Sequence, residues 1–141
     1  MTRKEVHNIL DQPRRLAIRI KRLTEEREAL IGVLMPGGMD MNDRIQKSPE
    51  DVMAKVMAEV ADIDEEIERL TEKRADEIIS LRKLLDGDDV RLLVLSMSYL
   101  NGKPMKVIAE ELHYVFRYVY QLRGEGLDIV GQLLEETEQR E

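Results

Sequence analysis

Four side chains that can recognise the edges of DNA bases lie close together in the last third of this 141-residue sequence: Phe116, Arg117, Tyr120 and Gln121. Arginine can form two hydrogen bonds with guanine, glutamine can form two with adenine, and an aromatic ring can contact the methyl group of thymine. On a helix, positions three and four residues apart lie on the same face. The sequence therefore predicts these residues as base contacts near the start of a helix that lies in the major groove.

Three basic residues of the same region, Lys103, Lys106 and Arg123, suit contacts with phosphate groups, which set the register of a protein on DNA without reading its sequence. Between residues 99 and 127 the sequence has four basic residues, these three and Arg117, and only three glutamates. The whole chain carries a formal net charge of -7. That charge argues against a protein that coats nucleic acid nonspecifically, because phosphate neutralisation needs an excess of Lys and Arg.

Catalytic and metal-binding chemistry has little support in the sequence. The absence of cysteine excludes disulfides and thiolate ligands and suits a reducing cytoplasm. His7 and His113 are far apart and have no cluster of neighbouring ligands, and the acidic residues between 62 and 68 are typical of a solvated helix face. There is no Gly-rich phosphate loop, no serine nucleophile in a recognisable turn and no carboxylate pair with a pocket around it. We therefore expect no enzyme, no metal site and no cofactor.

The elements that must position the candidate residues are helices. Aromatic residues make up only 4% of the chain and charged residues 36%, a mixture that favours helices with narrow apolar seams. One such seam predicts a helix from about Pro13 to Leu34, after a helical lead-in at residues 3–11 that Pro13 interrupts or restarts. The Pro and Gly residues that follow Met35 predict a hairpin loop.

A second, longer helix begins at Ser48 and Pro49, which suit an N-cap and a first helical position, and its apolar spacing extends to about Leu85. The two helices are predicted to form an antiparallel, coiled-coil-like hairpin. Arg27 and Arg74 lie on its apolar seams and are expected to fix the helix register or to pair with glutamate. Because the second helix is too long for the first to cover, its end must pack on the C-terminal domain or on another subunit.

Shorter helices are predicted at about residues 89–100, 104–112 and 115–127 or beyond. Gly87 is typical of a left-handed helix end, and Asp88 is a candidate cap for the helix that follows. Residues 114–120 have high β propensity, but the helical spacing around them favours a helix. Gly126 and Gly131 are expected to weaken the last helix, and the Glu-rich tail is expected to fray.

The apolar residues of the last two helices predict how these helices pack. The inner faces consist of Ile108, Ala109 and Leu112 on one helix and Val119, Leu122 and Leu127 on the next. Ala109 provides the small side chain that two helices need where they cross closely over a short turn. We therefore predict an all-α fold, with a helical hairpin over residues 1–87 and a three-helix helix-turn-helix domain with an acidic tail over residues 88–141.

The stretch from Leu92 to Leu127 resembles region four of bacterial sigma factors, whose pattern is an aromatic-containing helix, a Gly turn, a helix with Ile-Ala and Leu, and a recognition helix. The matching residues are Tyr99, Gly102, Ile108, Ala109, Leu112, Val119, Leu122 and Leu127. Placed behind a charged helical hairpin, this stretch is similar to phage and prophage transcriptional regulators of the ArpU and RinA kind. The sequence departs from the pattern at Val115, Glu125 and Gly126, where a capping Ser or Thr, a basic residue and Ala are usual.

The resemblance implies a sequence-specific transcriptional regulator that binds double-stranded DNA. RNA polymerase is an alternative partner, because sigma region four also contacts the polymerase. We expect a cytoplasmic protein of a bacterium or of a phage-infected cell, since no apolar run approaches the roughly 20 residues that cross a bilayer. The hairpin is expected to mediate oligomerisation or contact with another protein. A dimer would bury the seam over residues 52–85, and a Leu70→Glu change would disrupt that dimer.

Two other classes of protein stay open at this point. A non-enzymatic interaction or structural protein fits the acidic net charge and the missing cap at Val115. In that case Phe116 and Tyr120 would belong to a core or a dimer interface; Tyr99 and Tyr118 are expected to be packing residues in either case. A phage DNA-packaging subunit is the other alternative, because such subunits combine a helix-turn-helix with helical oligomerisation segments.

Overall fold

The computed structural model describes residues 1–35 and 49–140, which form six α-helices and no β-strand. The helices are α1 (Arg3–Leu10), α2 (Gln12–Val33), α3 (Pro49–Leu84), α4 (Val90–Leu95), α5 (Met105–Leu112) and α6 (Phe116–Arg140). A π-helical turn over Ser96–Leu100 continues α4. The prediction of an all-α fold is confirmed. The predicted hairpin loop after Met35 and the predicted cap at Ser48 lie outside the described residues.

The chain divides into two compact units. Unit 1 contains Met1–Arg15 and Arg74–Glu141, and unit 2 contains Leu16–Lys73. The functional division at residues 87 and 88 stays a prediction, but the structural boundaries differ from it, because the N-terminal helix α1 packs together with the C-terminal helices.

The start of α1 is fixed by reciprocal hydrogen bonds between Thr2 and Glu5. The Thr2 hydroxyl accepts from the Glu5 amide at 3.1 Å, and the Thr2 amide donates to the Glu5 carboxylate at 2.9 Å. This capping box follows from the Thr-x-x-Glu spacing, which predicts a helix start at this position. Asp11 separates α1 from α2, so the interruption expected near Pro13 lies just before it.

The start of α4 corrects the predicted cap by one residue. Asp89, and not Asp88, is the N-cap, and its carboxylate accepts from the Arg91 amide at 2.9 Å. The same carboxylate also accepts two hydrogen bonds from the Arg91 guanidinium. Gly87 has a φ of +134°, so the left-handed conformation expected at this position is present.

The first hydrophobic cluster of unit 1 joins α1, the end of α3, α4 and α6. Its buried residues are Val6, Leu10, Leu81, Leu85, Leu92, Leu95, Leu127 and Val130. The end of the long second helix therefore packs on the C-terminal helices, one of the two outcomes expected from its length. Arg74 adds a polar contact within the same unit, because its Nε donates to the carbonyl oxygen of Pro13 at 3.1 Å.

The second cluster of unit 1 joins α4 and its π-helical turn to α5 and α6. It consists of Val94, Met97, Ile108, Ala109, Val119 and Leu122. Four of these residues are those predicted for the inner faces of the last two helices, and Leu112 packs against the cluster from a partly buried position. Leu127 belongs instead to the first cluster.

Two glycines of α6 have a role opposite to the predicted one. Gly126 and Gly131 are buried, and a Cβ atom at Gly126 would lie 2.8 Å from the carbonyl oxygen of Arg91. A Cβ atom at Gly131 would lie 3.2 Å from Cγ2 of Val6. These glycines let α4 and α1 approach α6 closely, so α6 continues to Arg140 and the described part of the tail is helical. Packing has outweighed the weak helix propensity of glycine.

Unit 2 contains the remaining parts of α2 and α3, and ion pairs join the two helices. Arg19 contacts Glu66 at 2.9 Å and Arg27 contacts Asp64 at 2.6 Å, so Arg27 pairs with an acid as expected for a charged residue on a seam. Among the described residues of the unit, the buried apolar ones are Leu16, Val56, Val60 and Leu70. Leu70 is only 1% exposed within the single chain, so a Leu70→Glu change would disrupt the unit itself and cannot test for a dimer.

Candidate nucleic-acid interface

The turn between α5 and α6 sets the direction in which α6 begins. His113 has a φ of +59° and a ψ of +38°, the left-handed conformation, and ends α5. The Tyr114 amide donates to the Ala109 carbonyl at 3.0 Å, and the His113 amide donates to the Glu110 carbonyl at 3.3 Å. These two bonds form a Schellman motif, which satisfies carbonyl groups at the helix end and reverses the chain. The next helix then starts at Phe116.

Packing fixes the rotation of α6 about its own axis. Val119 and Leu122 are buried against Ile108 and Ala109 of α5 and against the α4 segment. Because a helix turns by about 100° per residue, the positions opposite Val119 and Leu122 must point away from the core. Arg117 lies near the centre of that outer face, with Gln121 one turn further on.

The four residues predicted as base contacts all lie on this outer face. Phe116 is 50% exposed and Tyr120 is 46% exposed, and Arg117 and Gln121 are exposed as well. The rings of Phe116 and Tyr120 meet edge to face, with their centroids 4.9 Å apart. Their exposure excludes the alternative in which these two residues belong to the core of the chain.

A second pair of rings lies on the other side of Arg117. Tyr114 and Tyr118 meet edge to face with centroids 5.1 Å apart, and both are exposed. Tyr118 was expected to be a packing residue, but its only packing partner of this kind within the described residues is Tyr114. Val115, next to Tyr114 and Phe116 in sequence, is 73% exposed, more than any other large hydrophobic residue that the structure describes. The first two turns of α6 therefore present Arg117 between two aromatic pairs.

Arg117 and Gln121 differ in whether another side chain of the protein already forms a hydrogen bond with them. Arg117 makes no hydrogen bond or ion pair with any residue of the described ranges, so its guanidinium is available to a ligand. Gln121 donates from Nε2 to the Glu125 carboxylate at 3.2 Å. A base that bonds Gln121 must therefore compete with Glu125, the residue that stands where a basic one was expected.

Lys103, predicted as a phosphate contact, is paired within unit 1. Its Nζ lies 3.0 Å and 2.8 Å from the two carboxylate oxygens of Glu111. Both side chains are partly exposed, so the pair contributes little stability and can exchange for other partners. Lys106 is exposed, and its contact with phosphate stays a prediction.

Arg123, the third predicted phosphate contact, lies in a partly buried polar cluster with Tyr99 and His7. Its Nη2 donates to the Tyr99 hydroxyl oxygen at 2.8 Å, and its guanidinium carbon lies 5.5 Å from the centre of the Tyr99 ring. Nδ1 of His7 lies 2.7 Å from the same hydroxyl. Burial raises the pKa of Tyr99, and the hydrogen bond from Arg123 opposes that shift. This placement favours an internal structural role for Arg123 over the predicted phosphate contact.

No local sequence pattern indicates this cluster, because its members are far apart in the chain. His7 and Tyr99 are separated by 92 positions, and Tyr99 and Arg123 by 24. Helical periodicity describes contacts within one helix and does not predict which polar residues meet between helices. Tyr99 was expected to be a packing residue, and it does pack against the first cluster.

The electrostatic character of the outer face of α6 follows from these pairings. Of the four basic residues in the segment, Lys103 is opposed by Glu111 and Arg123 is turned inward. Arg117 and Lys106 are left as available positive charges. The candidate interface is therefore mainly aromatic and neutral, with a single arginine at its centre.

Other kinds of site find no support in the part of the chain that the structure describes. No three His, Asp or Glu side chains gather there in an arrangement that could hold a metal ion. None of the described helices is long and apolar enough to span a membrane.

No known family model, curated protein or solved structure matches this chain. The function is therefore inferred from the geometry and chemistry of its own residues.

Proposed function

We propose that this chain is a sequence-specific DNA-binding protein in which α5 and α6 form a helix-turn-helix and the first two turns of α6 enter the major groove. The observation that carries this proposal is the placement of Arg117. Its guanidinium is unpaired within the described residues and lies at the centre of the exposed face. On the opposite face, Val119 and Leu122 are buried in the second cluster.

The geometry of the turn supports this reading. A helix-turn-helix needs a short reversal between two helices and a small residue where they approach. His113 provides the reversal in its left-handed conformation, and Ala109 provides the small residue in the shared cluster. An α-helix whose N-terminal outer face carries Arg, Gln and aromatic residues has the groups that read guanine, adenine and thymine.

As a transcriptional regulator of the phage type, the protein would use unit 1 to bind DNA and the helical hairpin of α2 and α3 for self-association or partner contacts. The ion pairs between α2 and α3 support a hairpin in unit 2. RNA polymerase as the main partner and a DNA-packaging role are the alternatives. Copurification of polymerase subunits would support the first alternative, and ring-sized assemblies would support the second.

The first test is binding of the full chain to fragments of its source genome, measured at two salt concentrations. We expect selective binding to a subset of fragments, and Arg117→Ala should weaken that binding by about tenfold or more, because one bidentate contact to a base contributes about 1–3 kcal/mol. Arg140→Ala is the matched control: it removes the same charge from the same helix, about 35 Å further along its axis at 1.5 Å per residue. Equal binding by wild type and Arg117→Ala would contradict the proposal.

A second candidate function is protein binding through the same face. It is favoured by the exposed rings on both sides of Arg117, since exposed apolar patches often mark protein interfaces. The two functions separate in one experiment, because an interaction protein would bind no genomic fragment even at low salt. Loss of a copurifying protein in Phe116→Ala would then identify the face as a protein interface.

A further inference from the structure

We infer that Phe116 and Tyr120 together recognise two consecutive thymines of one DNA strand through the methyl groups of those bases. This inference rests on the proposed function and specifies the bases that the interface selects. It starts from the observation that three of the exposed residues in the first two turns of α6, Phe116, Tyr118 and Tyr120, are aromatic, although cations usually dominate DNA-contacting surfaces.

The two rings are held as one surface. Phe116 and Tyr120 are one helical turn apart, and their edge-to-face contact, with 4.9 Å between centroids and 71° between planes, fixes each ring against the other. About half of each residue stays exposed, so an apolar surface is available without any rearrangement of the helix.

The spacing of this surface suits neighbouring bases. Consecutive bases of one strand are about 3.4 Å apart along the duplex axis and are also rotated, so their major-groove substituents lie somewhat further apart than that. A ring pair with centroids 4.9 Å apart can therefore contact the substituents of two neighbouring bases. Thymine is the base whose major-groove edge carries an apolar group, its C5 methyl.

Single-stranded nucleic acid is a less suitable ligand for the same rings. Proteins that bind single strands combine stacking rings with a positively charged groove that follows the backbone. Here the rings pack edge to face against each other and lie on the convex surface of a helix, and two of the nearby cations, Lys103 and Arg123, are bound by Glu111 and Tyr99. Duplex DNA, whose major groove admits a helix, fits this shape better.

The test uses a duplex enriched by the full chain from a random-core library, together with the same duplex in which deoxyuridine replaces thymidine. This replacement removes only the C5 methyl group. We expect the enriched site to contain two consecutive thymines. Replacing either of them should weaken binding about fourfold, the effect expected for one buried apolar carbon, while replacing thymines outside the site should not.

Three variants connect the methyl groups to the rings. Phe116→Ala should bind more weakly and lose the difference between thymine and uracil at one of the two positions. Tyr120→Phe keeps the ring and should keep the full methyl dependence, whereas Tyr120→Ala should lose it at the other position. Because these residues are exposed, far-UV circular dichroism should show unchanged helix content in all three variants.

The outcomes separate the inference from the proposed function. Selective duplex binding that is lost in Arg117→Ala but is indifferent to uracil would overturn the inference and keep the proposed function. An enriched site without consecutive thymines, a preference for single strands, or full methyl dependence in Phe116→Ala would also overturn the inference. If no duplex is enriched, both the inference and the proposed function fail.

Discussion

The guanidinium of Arg123 donates a hydrogen bond from Nη2 to the hydroxyl oxygen of Tyr99 at 2.8 Å, which ties the middle of α6 to the π-helical turn after α4. His7 of α1 reaches the same hydroxyl. One phenolic oxygen therefore connects three helical segments of unit 1, and the Nε atom of Arg123 is buried beside it without a hydrogen-bond partner in the described residues.

Removal of that oxygen should destabilise unit 1. In Tyr99→Phe the partly buried Arg123 guanidinium and the His7 ring lose their shared partner, which should lower the free energy of unfolding by about 1–3 kcal/mol. Urea denaturation followed by circular dichroism measures the change. Tyr118→Phe, the control, removes the hydroxyl of an exposed tyrosine and should change stability by less than about 0.5 kcal/mol. Equal effects of the two substitutions would show that the hydrogen-bond cluster contributes nothing.

Two helical glycines should respond to alanine in opposite directions. Gly126→Ala places a Cβ atom 2.8 Å from the Arg91 carbonyl oxygen and 3.0 Å from Cδ1 of Leu95. Overpacking of this kind costs about 1–3 kcal/mol, more than the gain of about 1 kcal/mol in helix propensity. Gly32→Ala in α2 meets no atom within 4 Å, so it should raise stability by about 0.5 kcal/mol. Thermal melting of both variants checks the signs, and a stabilised Gly126→Ala would refute the close-approach role of this glycine.

Acid should destabilise the protein through its paired aspartates. The guanidinium of Arg14 donates to the Asp11 carboxylate at 2.7 Å and 2.6 Å and holds the pKa of Asp11 below its ordinary value, against the opposing effect of burial. Hydrogen bonds from Arg91 and Arg3 likewise lower the pKa values of Asp89 and Asp128. A lowered folded-state pKa contributes stability that is present above the unfolded-state pKa and is lost as the pH falls through the folded-state value.

The free energy of unfolding should therefore change little from pH 7 to about pH 5 and fall below about pH 4. Denaturant titrations across this range measure the profile. Asp11→Asn should lower stability at pH 7 and reduce the slope below pH 4. Asp76→Asn, at an exposed position of α3, should keep the slope of the wild type. A wild-type slope in Asp11→Asn would show that the Arg14 pair carries none of the acid dependence.

DNA binding, if the proposed function holds, should depend only weakly on salt. The slope of log K against log salt concentration is about -0.9 for each phosphate that a cation neutralises. Because Arg117 contacts a base in the proposed complex, Lys106 is the cation of this segment left for phosphate contacts, and we expect a slope of about -1, against about -5 to -9 for proteins with many phosphate contacts. Fluorescence anisotropy over a salt series gives this slope. A much steeper one would mean that Lys103 and Arg123 leave Glu111 and Tyr99 to reach phosphates.

The helices of this protein and their inward faces can be predicted from its residue pattern alone. Apolar residues spaced three and four apart predict the buried faces of α2, α3, α5 and α6, because residues at this spacing lie on the same side of a helix. For the same reason the outward placement of Phe116, Arg117, Tyr120 and Gln121 followed from the inward placement of Val119 and Leu122.

Contacts between residues that are distant in the chain are visible only in the folded protein. The packing of α1 on α6, the close approaches at Gly126 and Gly131, the pairing of Lys103 with Glu111 and the inward turn of Arg123 all depend on contacts between helices. No local period encodes such contacts, because each depends on where another segment of the chain comes to lie. For that reason local spacing predicts Lys103 and Arg123 as cations of the interface. In the folded protein both have partners, Glu111 for Lys103 and Tyr99 for Arg123.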